Sequence, residues 1–138
     1  MNEKLMNLYA SKWDALHREY SKIYSEDLFE SKPTNPYLIS VDDEYENSDI
    51  RIMIFGQETN GWYEDEDDSV QALQVAYDKW VHKKASFSYG GHFWNGVKIF
   101  LNKFKEKYKN KNVSFISNNI IKIGRSEGKG FPPDYIYE

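Results

Sequence analysis

Two short polar segments carry the side chains of this 138-residue chain that are best equipped for chemistry. The first, Gly56-Gln57-Glu58-Thr59-Asn60-Gly61-Trp62, follows directly on the apolar run Ile50-Arg51-Ile52-Met53-Ile54-Phe55. Gln57 presents a donor and an acceptor on one amide, and Glu58 offers a carboxylate able to orient or deprotonate a water. The second, Asn118-Asn119-Ile120-Ile121-Lys122, follows Val113-Ser114-Phe115-Ile116-Ser117. Each asparagine can meet the donor and acceptor edge of a planar ligand with two hydrogen bonds. Between the two segments, Gly90-Gly91-His92-Phe93-Trp94-Asn95 supplies two rings suited to stacking and a histidine. Plainer roles stand beside these. Glu58 could cap the next turn, the asparagines are common turn formers, and one of Phe93 and Trp94 must serve the core of the helix they begin. Trp62 is either a lid over a pocket or an anchor against the first helix.

The elements that must position these residues follow from periodicity. Leu5, Leu8, Tyr9, Trp13, Leu16, Tyr20, Ile23 and Tyr24 recur every three or four residues, which predicts a helix over 3–25. Two prolines in 31–37 predict a loop leading into the sheet. The β-branched run 50–55, stopped by Gly56, predicts a buried central strand, and 113–117 a second one. Helices are predicted over 69–82, behind Ser69 as N-cap, and over 93–108. The order helix, strand, helix, helix, strand implies parallel strands with a right-handed crossover, hence a layered α/β fold. Ligands of such sheets bind beyond the carboxyl ends of the strands, where both polar segments fall. Two strands make too small a sheet to stand alone, so the expected domain, spanning 1–138, is a parallel-sheet core incomplete at its C-terminal side.

Composition bounds the rest. A net charge of −4 speaks against binding nucleic acid by bulk electrostatics, although the lysines concentrate in the last third and Glu64 to Asp68 form an acidic run. That run lacks the spaced ligands of a calcium loop, so no metal is expected there. With no cysteine there is neither a disulfide framework nor a thiolate metal site. No stretch is long and apolar enough for a membrane span, and Met-Asn-Glu-Lys does not open a signal peptide. A cytoplasmic protein is the expectation, with no membrane partner, no cofactor, and a homodimer formed through a sheet edge exposed after residue 117.

With these motifs in view, the chain resembles the uracil-DNA glycosylase superfamily. There the first strand ends in Gly-Gln-Asp-Pro or Gly-Glu-Ala-Pro, whose acidic residue supports the attacking water; Gly56-Gln57-Glu58-Thr59 is similar, with Glu58 in the acidic position. Some branches follow the second core strand with Thr-Asn, two hydrophobic residues and Lys, where the asparagine reads the uracil edge. Asn118-Asn119-Ile120-Ile121-Lys122 resembles this, placing Asn119 in the base-reading role beside Asn118. Phe93 or Trp94 answers to the aromatic residue that stacks on the flipped base. The likeness covers about residues 50 to 124, and the loop Gly56–Trp62 also resembles that of an uncharacterised bacterial branch with longer chains. It implies a three-layer α/β fold, DNA or a nucleobase as partner, and hydrolysis of an N-glycosidic bond with Glu58 and Gln57 as catalytic residues, or else an inactive nucleotide- or protein-binding module of the same fold. Two departures stand out: Thr59 takes the place of the family's proline, and the late His-Pro-Ser segment that stabilises the departing base is absent.

Overall fold

The computed structural model describes residues 1–25, 33–59, 61–62 and 69–126, with side chains of 23–25 left aside. Asn60, the acidic run and the tail after Ser126 lie outside the described residues. The fold is mixed α/β: α1 (Asn2–Ser25), α2 (Asp43–Glu46), β1 (Ile50–Gly56), α3 (Val70–Tyr77) continuing into a π-helical turn (Asp78–His82), α4 (Ala85–Tyr89), α5 (Gly91–Lys107) and β2 (Val113–Asn119). Ser69 caps α3, its hydroxyl accepting from Ala72 N at 3.1 Å. Among the described residues no helix is long and apolar enough to cross a membrane.

The strands pair in parallel, from Ile50 opposite Val113 to Gly56 opposite Asn119. Strand residues alternate between faces, so this register puts Ile50, Ile52 and Ile54 on one face with Val113, Phe115 and Ser117, and Arg51, Met53 and Phe55 on the other with Ser114 and Ile116. Ile52 and Ile54 pack into the main core with Phe115, Val97 and Leu101 of α5, and Tyr77 and Val81. β2 is buried from Val113 to Ser117. β1 departs from the expected central, buried strand: among the described residues it pairs on one side only, and Arg51, Met53 and Phe55 are exposed. Its apolar run does not alternate with polar residues and so reads as doubly covered, whereas the second face is uncovered among the described residues.

The free edge also differs from expectation. At β2 it is closed rather than exposed at residue 117: the hydroxyl of wholly buried Tyr77 donates to Ser117 O at 2.7 Å and accepts from Ser117 N at 2.9 Å. Of the loop expected over 31–37, residues 33–37 carry no helix or strand, and with 38–41 they form an irregular segment that is buried except at Asn35. Thr34 N donates to Gly124 O at 2.9 Å and Tyr37 N to Lys122 O at 2.8 Å. Side chains take the place of a neighbouring strand for the rest: Gln74 Nε2 donates to Ile39 O at 2.9 Å, Tyr9 Oη accepts from Ile39 N, and the Asn2 amide holds both backbone groups of Val41. Satisfying these buried polar groups is what lets an irregular segment lie inside. α1 packs on it from the side: Leu5 reaches the main core, Met6, Tyr9 and Trp13 pack on Leu38 and Leu73, and Leu8 points to solvent.

Candidate functional site

Beyond the carboxyl ends of the two strands lies a cavity of about 770 Å³ whose lining includes Gln57, Glu58, Phe93, Trp94 and Asn119. Residues more than sixty positions apart in sequence meet there because β1 and β2 end in register. The ladder runs on past them, with Ile120 N donating to Gly56 O at 3.0 Å and Ile121 N to Gln57 O at 3.1 Å. Asn118 is not part of the lining. Alternation sends its side chain to the opposite face, where the Lys122 ammonium donates to its Oδ1.

Thr59, which stands where proline would stiffen the loop, ties the two loops together by other means. Its buried hydroxyl shares its proton between the carbonyls of Ile121 and Lys122, each at 3.0 Å, and accepts from Asn119 Nδ2 at 3.0 Å. That bond orients the Asn119 amide and leaves Oδ1 and one N–H for other partners. Gly56 makes room for it: a Cβ there would overlap Asn119 Oδ1 and stand 3.6 Å from Phe93 Cζ. Glu58 Oε2 is buried and meets no hydrogen-bond donor among the described residues, although such an oxygen costs free energy until one arrives. A carboxylate in that condition can take an N–H, an O–H or a water proton.

The remaining wall is aromatic. Trp62 is buried in the core while lining the cavity, edge-on to Tyr37 at 4.7 Å. From it a chain of rings continues through Trp80 (6.3 Å) to Trp94 (6.0 Å) and Tyr89 (5.4 Å), and Phe93 meets Trp94 at 5.1 Å. In the π-helical turn, Lys79 and Trp80 face the cavity while Val81 enters the core. Gly90 and Gly91 at φ 81° and 78° take a left-handed path that side chains rarely adopt, and so turn the chain into α5 with His92 and Phe93 at the rim. The cavity thus combines stacking surfaces with one carboxylate, two amides, a lysine and a histidine. Such a mix suits a planar ligand with polar edges. Tyr37, Lys79, Trp80 and Tyr89 also line the cavity, and the polar motifs do not single them out. The run Tyr37-Leu38-Ile39-Ser40-Val41, rich in β-formers, was a signal for the first; the others sit at ordinary helical positions. Among the described residues no cluster of three or more His, Asp or Glu could hold a metal.

On the face opposite the cavity, burial pushes the Lys122 ammonium down to about 8 from 10.5. An unfolded lysine keeps its proton to roughly 10.4, so between these values the unfolded chain binds more protons and stability rises with pH. The buried tyrosine hydroxyls, raised from 10.0, oppose this only at higher pH. The urea midpoint is therefore expected to climb from about pH 8 towards 10 and to stay flat over that window in Lys122→Met. Partial exposure of the ammonium makes the rise smaller than the full shift implies.

Compared with protein-family models, with curated proteins and with solved structures, the chain matches none.

Proposed function

We propose that this chain is a uracil-DNA glycosylase-like domain that takes an extruded base from DNA, or a free nucleobase, into the cavity above β1 and β2. The observation that carries the reading is the meeting of Gln57, Glu58, Phe93, Trp94 and Asn119 around one cavity, in the order and context in which the resembling motifs occur. Phe93 or Trp94 stacks on the base, Asn119 reads its polar edge, and the base leaves the helix at a cost of a few kcal/mol of unstacking. The reaction is hydrolytic. Glu58 takes a proton from water as its oxygen bonds to the sugar C1′, the N-glycosidic bond breaks, and its electron pair leaves with the base; Gln57 holds the water or the sugar beside it. With a net charge of −4, such a domain depends more on the cavity than on phosphate contacts.

The test is base release from single-stranded and mismatched oligonucleotides carrying uracil or related lesions. Release is expected from the wild type, with a fall of roughly 100-fold in Glu58→Gln at unchanged stability, since the amide cannot accept the proton. Equal release by both would remove Glu58 from the mechanism.

A second reading is a non-catalytic nucleotide- or protein-binding module of the same fold. It is favoured by the net charge of −4, which gives little bulk attraction for the phosphates of a DNA substrate. Binding of the same oligonucleotides without base release is the result it expects.

A further inference from the structure

The two backbone groups that close the sheet fix which residues of β1 face outward. Ile50 N bonds to Asn112 O and Gly56 O accepts from Ile120 N, so the even-numbered residues between them turn their N–H and C=O to β2. Arg51, Met53 and Phe55 turn theirs away, and among the described residues nothing pairs with them. Their side chains are exposed too, Met53 at 43% and Phe55 at 56%. An open, apolar strand edge of this kind invites another strand.

α5 is built too wide for the sheet beneath it. On a helical wheel Trp94, Leu101 and Val97 form one half of its apolar arc, and Phe93, Phe104 and Phe100 the other. Val97 and Leu101 are buried, and the Trp94 half leans towards β2 through Phe87, which stacks on Phe115 at 5.7 Å and meets Trp94 at 6.3 Å. The other half leans past β1: Phe93 stands beside Gly56, yet Phe93 is 44% and Phe100 48% exposed. It overhangs the open edge.

We infer that this edge and overhang are where a second copy of the chain docks, β1 pairing antiparallel with its own counterpart about a two-fold axis through Met53. In that register Met53 faces Met53, and Arg51 of each copy lies opposite Phe55 of the other, so the only charge on the outward face meets an aromatic ring twice and never a like charge. The same axis suits the helices. From Gly56 back to Met53 is about 10 Å of strand, which is about seven residues of helix, so Phe100 stands at the level of Met53 and meets Phe100 of the second copy. With each α5 over its own pair of strands about 4.8 Å apart, the two helix axes come about 10 Å from one another, the spacing of packed helices. A peptide strand from an unrelated partner would fill the edge but leave the Phe100 overhang uncovered; a second copy covers both. The inference does not depend on what the cavity binds.

The chain has no cysteine, so single cysteines report the register directly. Sedimentation equilibrium is expected to give the mass of two chains for the wild type and of one for Phe100→Glu, a change at an exposed site that leaves folding intact. Mild oxidation is expected to link Met53→Cys into a covalent dimer, because the facing Cα atoms of such a pair are about 5.5 Å apart, and to leave Arg51→Cys unlinked. A monomeric wild type, a dimer indifferent to Phe100→Glu, or linkage through residue 51 but not 53 would each overturn the assignment.

Discussion

Gly124→Ala is expected to destabilise the fold by about 3 kcal/mol or more, because no side chain fits between the two loops that the cavity depends on. A Cβ on Gly124 would overlap the Thr59 carbonyl oxygen, come within 2.9 Å of its carbon and press on Thr34 Oγ1 at 3.4 Å. Two of these neighbours are backbone, and the third is engaged, since Thr34 Oγ1 accepts from Gly124 N at 2.9 Å while Thr34 N donates to Gly124 O. Relief requires moving the Thr59 backbone, which carries Glu58 with it and pulls the Thr59 hydroxyl off Asn119. The midpoint of urea unfolding should fall with little change in slope. Gly96→Ala is the contrast: that glycine lies inside α5 with open space about it, and the same change should add about 0.5–1 kcal/mol through helix propensity alone. Equal effects at the two sites would mean that Gly124 does not govern how closely the two loops approach.

Tyr77→Phe is expected to cost about 3 kcal/mol although it removes one oxygen and no packing. The hydroxyl serves both backbone groups of Ser117, and with Ser117 at 1% exposure water does not replace it. Burial drives the Tyr77 phenol well above its ordinary pKa, so it stays a donor throughout the neutral range. The loss leaves a buried N–H and a buried C=O unpaired at once, and each carries its own desolvation penalty. Amide exchange at Ser117 measures it directly: its protection should drop in Tyr77→Phe by more than global unfolding explains, whereas protection that merely tracks global stability would mean that Tyr77 acts through packing.

How far the sequence foretold these features depended on whether the cause was local. Apolar spacing of three and four residues located α1 and the helices around Val70 and Val97, and β-branched runs ending at polar loops located both strands, because those patterns are written within single elements. The meeting of Glu58 with Asn119 was legible for the same reason: two parallel strands ending in polar loops bring the loops together. What escaped was set by distant partners. The buried segment Tyr37–Val41 is held by side chains of α1 and α3, and the β-forming run within it shows neither partner. Asn118 and Asn119 are chemically identical, and only the register of β2 against β1 separates the one that lines the cavity from the one that bonds Lys122. Thr59 read as a departure from a proline motif and works as the hydroxyl that joins the loops.

The central claim, that the cavity takes a nucleobase, is tested most directly by the four tryptophans. Trp62, Trp80 and Trp94 line the cavity, while Trp13 packs on α1's side against Leu38. Titrating the protein with uracil and with a uracil-bearing oligonucleotide, and following the four indole N–H resonances, should move those of Trp62, Trp80 and Trp94 together and leave Trp13 in place. Four unmoved resonances at saturating ligand, or movement of Trp13 alone, would contradict it.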